Sequence, residues 1–285
     1  MARQLLITAA ELAEQLEDPA LRILDVTVHL QRSERGYQIE SGLEDYRAAH
    51  VPGAAFVDQA VALSNTDSGL GFTLPEPDVL AAAFADLGIG TDTAVVVYAT
   101  GPVMWATRAF WLLDYLGHPN VRVLDGGLAA WQAAGLPTHQ GDESYAAGTF
   151  AHSLKPSRFV LLDEMQEIVS SQNQCVVNAL PEPVYTGASG ALYGRPGHIP
   201  GSVNLPYDNL LSDGRFLPRE KLLEALQEQG LAGTDRVVVY CGGGISATIP
   251  GFSRLLCGLE ETAIYDGSMS EWVRADLPLT EGSEP

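Results

Sequence analysis

Apolar positions along the chain alternate between two rhythms. Short continuous runs rich in β-branched residues stand at 22–26, 94–98, 122–124, 175–178, 237–240 and 263–265. Such runs predict strands buried on both faces. Elsewhere the apolar residues recur at helical spacing. Ala109, Leu112, Leu113 and Leu116 fall at i, i+3, i+4 and i+7, and similar patterns over 77–87 and 219–229 precede the runs at 94 and 237. Strands alternating with amphipathic helices predict an α/β protein whose mostly parallel sheets carry helices on both faces.

The pattern occurs twice. Leu74-Pro75-Glu76 and the stretch Gly90-Thr91-Asp92 before the run at 94 are answered by Leu217-Pro218-Arg219 and Gly233-Thr234-Asp235, 143 positions later. Upstream, H-V-P-G-A at 50–54 is answered by H-I-P-G-S at 198–202. Downstream, D-G-G-L-A-A-W at 125–131 is answered by D-G-S-M-S-E-W at 266–272. Three matching blocks in one order indicate a duplicated domain whose copies differ by loop insertions. We therefore expect one domain over 1–142 and a second over 157–285. Between them Gly141, Gly148, Pro156 and polar residues interrupt the periodicity.

Length and composition support two packed domains: 285 residues, 46% apolar and 18% charged. No apolar run reaches the roughly 20 residues needed to span a bilayer, and the N-terminal patch is too short for a secretory signal. Those features, with reduced thiols, lead us to expect a cytoplasmic protein. Lys and Arg number 16 against 36 Asp and Glu, a formal charge of −20. That balance excludes nucleic acid and anionic membrane surfaces as expected partners. It also requires that any small anionic substrate meet a local positive field, from backbone amides or a helix N-terminus. Three widely spaced cysteines, Cys175, Cys241 and Cys257, fit neither a disulfide framework nor a zinc site. The six histidines are scattered without metal-ligand spacing, so no metal and no organic cofactor is expected.

One cysteine stands apart. The run at 237–240 leads directly into Cys241-Gly242-Gly243-Gly244-Ile245-Ser246-Ala247, with a helical pattern following. This sets a thiol at the C-terminal edge of a parallel strand, where open α/β sheets place their ligands. The glycines allow successive N–H groups to turn inward as an anion nest, and the following helix adds its N-terminal dipole. Such surroundings favour thiolate over thiol and suit a nucleophile that also binds an anion. Pro250-Gly251 predict a kinked or late-starting helix after the loop. In the first copy Ala99 takes the cysteine's place, and Thr100-Gly101-Pro102 follows without the glycine run. That copy is expected to have a structural role.

Together the paired H-x-P-G and D-G-x-x-x-x-W blocks, the cysteine loop after V-V-V-Y and the cysteine-free first copy resemble the tandem-domain rhodanese and 3-mercaptopyruvate sulfurtransferase family over nearly the whole chain. The resemblance implies two tandem rhodanese-like domains, of which the second is catalytic. It also implies a sulfur atom moved from thiosulfate or 3-mercaptopyruvate to a thiophilic acceptor, cyanide or a thiol, through a persulfide on Cys241. A thioredoxin-like reductant is a further expected partner. Gly242, Gly243, Gly244, Ile245, Ser246 and Ala247 would hold the outer sulfur by their amides.

The sequence departs from both donor patterns of the family. Gly242 and Gly243 replace the basic side chains usual for thiosulfate. For mercaptopyruvate, Gly243 replaces a usual serine, Asn178 a usual aspartate, and no arginine follows Asn178 before Arg195. Arg195 is the candidate cation for the donor's acid group, since a guanidinium grips a carboxylate or sulfonate in bidentate fashion. The resemblance suggests a proton-transfer role for His50; the equal place of His198 in the second copy suggests instead a histidine that pins the turn. Trp131, Trp272, Cys175 and Cys257 read as core. Arg32, Arg35 and Arg47 lie in an insertion and are expected to be exposed. Two other readings remain at this point, a noncatalytic binding module and a cysteine phosphatase. The latter is disfavoured because the loop reaches no arginine until Arg254.

Overall fold

A computed structural model describes residues 3–33, 36–233 and 236–285. Arg35, and Thr234 and Asp235 of the repeated block, lie outside the described residues. The chain divides into two compact units. The change between them falls at Lys155/Pro156, and two short segments are exchanged: Asp67–Thr73 belongs to the second unit and Asp213–Arg215 to the first.

The first unit contains β1 (Leu6–Ile7), α1 (Ala9–Ala13), β2 (Leu21–Asp25), β3 (Val28–Ser33), β4 (Gly36–Ser41), α2 (Leu43–Ala48), β5 (Ala54–Phe56), α3 (Pro77–Asp86), β6 (Ala94–Tyr98), α4 (Met104–Tyr115), β7 (Val121–Leu124) and α5 (Gly127–Ala133). Its five-stranded sheet has the order β1-β7-β6-β2-β5, with every pairing parallel. Parallel neighbours need crossovers, and helices supply them. Val95, Val96 and Val97 are fully buried, as expected for a strand covered on both faces. One core face gathers Ile7, Leu12, Ile23, Tyr46, Val51, Val96, Tyr98, Leu128 and Trp131. The insertion at 28–41 is an antiparallel hairpin of β3 with β4 rather than a loop.

The second unit repeats the plan with β8 (Phe159–Val160), α6 (Leu162–Ser171), β9 (Cys175–Asn178), α7 (Glu182–Tyr185), β10 (Ser202–Asn204), a short ribbon of β11 (Leu211–Ser212) and β12 (Arg215–Phe216), α8 (Arg219–Glu228), β13 (Val237–Tyr240), α9 (Thr248–Leu256), β14 (Thr262–Tyr265) and α10 (Ser268–Arg274). Its parallel sheet runs β10-β9-β13-β14-β8. The central strand β13 pairs Val238 with Val176 on one side and Ala263 on the other.

Duplicated details confirm the repeat at atomic level. Trp131 Nε1 donates to Pro137 O at 2.7 Å and Trp272 Nε1 to Pro278 O at 2.8 Å. Both indoles are buried and each pins the chain after its last helix. The hydroxyls of Tyr98 and Tyr240 accept the N–H of Val51 and Ile199, fixing the segments that enter β5 and β10.

Candidate active site

Cys241 lies at the C-terminal end of β13 and is 2% exposed. Its backbone is fixed from the loop after β14. The Cys241 N–H donates to Ser268 Oγ at 3.1 Å, and the Ser268 hydroxyl donates to Tyr265 O at 2.9 Å. The first amides of α10 continue the clamp, Met269 N–H to Cys241 O at 3.0 Å and Ser270 N–H to Gly242 O at 2.9 Å. Ser270 Oγ adds a bond to Gly242 O at 2.7 Å. Two consecutive carbonyls are thus drawn toward α10, which turns the peptide planes that follow the cysteine. Ser268 holds this place with φ +51°, a left-handed conformation that costs a non-glycine residue about 1 kcal/mol or more. A strained serine whose hydroxyl positions the cysteine's amide is a site residue that spacing alone gave no reason to select.

Residues 242–247 form an open turn before α9 begins at Thr248. Thr248 steadies the junction by donating its hydroxyl to Ile245 O at 2.6 Å. Among the described residues, no backbone or side-chain acceptor takes the amides of Gly242, Gly243, Ile245, Ser246 or Ala247. All but Gly243 belong to buried residues. Buried N–H groups need partners, and an acceptor from outside the chain is one that this turn could take.

The glycines have separate reasons. A Cβ on Gly242 would fall inside the ring and hydroxyl of Tyr193, which packs against the turn. Gly244 has φ +75°, open to glycine at little cost. Around Gly243 there is room: the nearest atom to an added Cβ is Gly71 O at 3.9 Å, in the exchanged segment. Tyr193 escaped the sequence reading because it lies 48 residues before Cys241 with no motif around it.

The expected kink at Pro250 is absent. Pro250 occupies the third position of α9, inside the first turn, where its missing N–H has no intrahelical partner. The helix starts late, seven residues after Cys241, and then runs unbroken to Leu256.

Other candidates are placed as follows. Arg195 donates to Asp276 Oδ1 at 3.1 Å and to Leu277 O at 2.9 Å, on the segment after α10. His50 is fully buried in the first unit, near the N-terminal end of β5, with Nδ1 on Tyr46 O at 2.8 Å and Nε2 on Glu143 Oε1 at 3.1 Å. Both ring nitrogens thus meet groups of the first unit. His198 repeats the arrangement, with Nδ1 on Tyr185 O at 2.9 Å. Arg254 is buried on α9 and donates to Thr262 Oγ1 at 2.9 Å and to Leu231 O. Thr262 begins β14, at the sheet edge opposite the cysteine, so this guanidinium does not serve an anion at the loop. That removes the arginine a phosphatase loop needs. Cys175 and Cys257 are thiols whose ionisation burial suppresses.

Comparison with known proteins gives the family. The rhodanese-like domain model matches twice, over residues 8–134 and 162–275. A probable 3-mercaptopyruvate sulfurtransferase of Pseudomonas aeruginosa is 36% identical over 281 residues, 96% of each chain. A putative thiosulfate sulfurtransferase of Mycobacterium tuberculosis is 35% identical over 277 residues, 94% of each. The crystal structure of the 3-mercaptopyruvate sulfotransferase SseA from Escherichia coli superposes with TM-score 0.82 at 28% identity, over 93% of this chain and 98% of its own. The chain belongs to the rhodanese-like domain family. Within that family it is a sulfurtransferase built of two tandem copies.

Proposed function

We propose that Cys241 is the sulfur-carrying nucleophile and that 3-mercaptopyruvate is its preferred donor. The observation that carries this is the set of uncommitted amides around a cysteine whose own backbone is clamped from α10. In the first half-reaction the Cys241 thiolate attacks the donor's sulfur. The carbon–sulfur bond breaks, its electron pair passes into the enolate of pyruvate, and a proton from solvent completes pyruvate. The cysteine is left as the persulfide Cys–S–SH. In the second, a thiolate or cyanide attacks the outer sulfur and the Cys241 thiolate departs.

The loop amides stabilise negative charge on the outer sulfur, which compensates for a chain of net charge −20. A turn with no basic side chain between Gly242 and Ala247 favours the neutral thiol of mercaptopyruvate over the dianion thiosulfate. Arg195, once released from Asp276, is the candidate anchor for the donor carboxylate. The acceptor in this reading is a small thiol or a thioredoxin-like reductant. Three free cysteines suit a reducing compartment such as the cytoplasm, and no helix among the described residues is long and apolar enough to cross a membrane.

The test is intact mass of the reduced protein after incubation with each donor separately. A gain of one sulfur with mercaptopyruvate, absent in Cys241→Ser, is expected. A gain with thiosulfate alone would overturn the donor assignment, and a gain that survives in Cys241→Ser would overturn the nucleophile.

A further inference from the structure

Away from the cysteine loop, the first unit gathers three ligating side chains that sulfur transfer does not use. After α2 the chain pairs His50 with His139 in an isolated antiparallel bridge. His50 N–H donates to His139 O at 3.0 Å and His139 N–H to His50 O at 2.9 Å. The bridge brings the imidazoles edge to face, with centroids 6.3 Å apart and planes at 79°. Four residues on, Glu143 turns its carboxylate between them, Oε1 lying 3.1 Å from His50 Nε2 and 2.7 Å from His139 Nδ1. One ligand atom from each residue lies within 4.8 Å of the other two.

The cluster is held from behind. His50 Nδ1 donates to Tyr46 O at 2.8 Å, the Tyr46 ring stacks on the imidazole at 4.2 Å, and the Tyr46 hydroxyl accepts the Glu143 N–H at 2.9 Å. Arg47 grips Asp142 through two bonds of 2.8 and 3.1 Å, and Gly141 N–H reaches Arg47 O at 2.9 Å. Such outer contacts fix a ligand's tautomer and direction before any ion arrives. With Nδ1–H committed to a carbonyl, a neutral His50 ring aims the Nε2 lone pair at a carboxylate oxygen. Two electron pairs facing at 3.1 Å call for a cation, either a proton or a metal.

The second unit separates scaffold from addition. His198 sits on Tyr185 O and stacks on the Tyr185 ring at 3.7 Å, as His50 does on Tyr46. Its bridge partner, however, is Thr280, and its Nε2 meets the backbone oxygen of Glu284 at 3.1 Å. The pinned histidine therefore belongs to the fold, while the second imidazole and the carboxylate occur in the first unit alone.

We propose that His50, His139 and Glu143 bind a divalent late first-row transition ion, of which zinc is the type, through His50 Nε2, His139 Nδ1 and the Glu143 carboxylate, with solvent completing the shell. Two imidazole nitrogens and one carboxylate oxygen suit such an ion. Ligands 2.0–2.2 Å from a tetrahedral centre stand about 3.3 Å apart, so the two contacts of Glu143, at 3.1 and 2.7 Å, need to open only slightly. His139 is 56% exposed and Glu143 31%, which gives an ion its route in, while fully buried His50 anchors the floor. Binding would tie residues 139–143 to α2. The site escaped the sequence because its ligands lie 89 residues apart and converge only through the bridge.

The test is titration of the full chain, stripped with a chelator, against zinc, followed by thermal unfolding and bound stoichiometry, with cobalt as spectroscopic probe. One ion per chain, a midpoint raised by several degrees at saturation, and a cobalt spectrum without a thiolate charge-transfer band are expected. His139→Ala and the near-isosteric Glu143→Gln should each weaken binding by about tenfold or more. Three outcomes would overturn the proposal: no binding at 100-fold molar excess of zinc, equal affinity in both variants, or a thiolate band. The first would assign the cation between His50 and Glu143 to a proton.

Discussion

The two turns that follow the central strands of the duplicated sheets show what a reactive loop adds to a common scaffold. In the first copy residues 99–103 separate β6 from α4; in the second residues 241–247 separate β13 from α9. In the shorter turn the Thr100 amide is already taken by Thr27 Oγ1 at 2.8 Å, and Pro102 has no amide to offer. In the longer turn five amides stay uncommitted. The residues that clamp each turn also differ. At the matching position the first copy has Gly127 at φ +56° and the second Ser268 at φ +51°. The fold asks for the same left-handed backbone in both, and only the copy with the cysteine accepts strain there in exchange for a hydroxyl. On the function proposed above, loop length, uncommitted donors and one strained serine serve the reaction together with the thiol.

The comparison breaks most sharply at the thiol. Cys241→Ser should lower transfer by about a thousandfold or more, read as thiocyanate or pyruvate formation. Adding Ala99→Cys to that variant should restore nothing, because the first turn is two residues shorter, its Thr100 amide is taken and Pro102 has none to offer. Measurable rescue would show that the scaffold suffices without the nest.

Next in size is Gly242→Ala. The new methyl must displace the Tyr193 ring, an overpacking cost of about 1–3 kcal/mol, and the displaced turn should lose activity by about tenfold or more. Tyr193→Ala should relieve much of this in the double variant. Strict additivity in the cycle would mean that Tyr193 is not what Gly242 accommodates.

Most of the fold was legible because the signals that specify it are periodic. The buried β-branched runs at 94–98, 175–178 and 237–240 fold as strands with those bounds, and the 77–87 and 219–229 patterns end one residue early as α3 and α8. Less legible were strands of two or three residues, such as β1, β8 and β10, which are too short to carry a period. The hairpin at 28–41 was missed because it reads as a polar insertion. At the candidate site, the cysteine and its glycines announced themselves by adjacency. Tyr193 and Ser268 did not, because tertiary contact selects them, and the same holds for His139 and Glu143. For Pro250 the late start was legible and the kink was not: α9 begins at Thr248, which sets the proline in a first turn that tolerates it.

Ser268 gives a subtler separation of strain from chemistry. Ser268→Ala keeps the left-handed φ and leaves the Cys241 amide without its partner, a loss of about 1–3 kcal/mol for a buried donor. Ser268→Gly loses the same bond but releases the backbone strain, so it should be more stable than the alanine variant by about 1 kcal/mol in denaturant titration. Both should lower kcat/KM by several-fold. If Ser268→Gly kept full activity, the hydroxyl would be a structural convenience and the first copy's glycine an equal solution.

The smallest effect concerns the strands beside the turns. Asp25 ends β2 and Asn178 ends β9 at matching places, both fully buried. Asn178 Oδ1 accepts the Leu180 N–H at 2.8 Å, and Asp25 Oδ1 accepts the Thr27 N–H at 3.0 Å. Burial raises the Asp25 carboxyl above its ordinary value of 3.8, with the Thr27 hydrogen bonds opposing. Between the ordinary and the raised value the folded chain therefore binds more protons than the unfolded one. Stability falls as pH rises through that window and stays lowered above it. Asp25→Asn copies the second unit's residue and removes the penalty. The variant should gain on the parent in melting midpoint as pH rises above the ordinary carboxyl value of 3.8 and keep that gain at neutrality. A difference that does not grow with pH would mean that Asp25 ionises in the folded chain as easily as in the unfolded one. Its match to Asn178 would then be one of shape and not of charge.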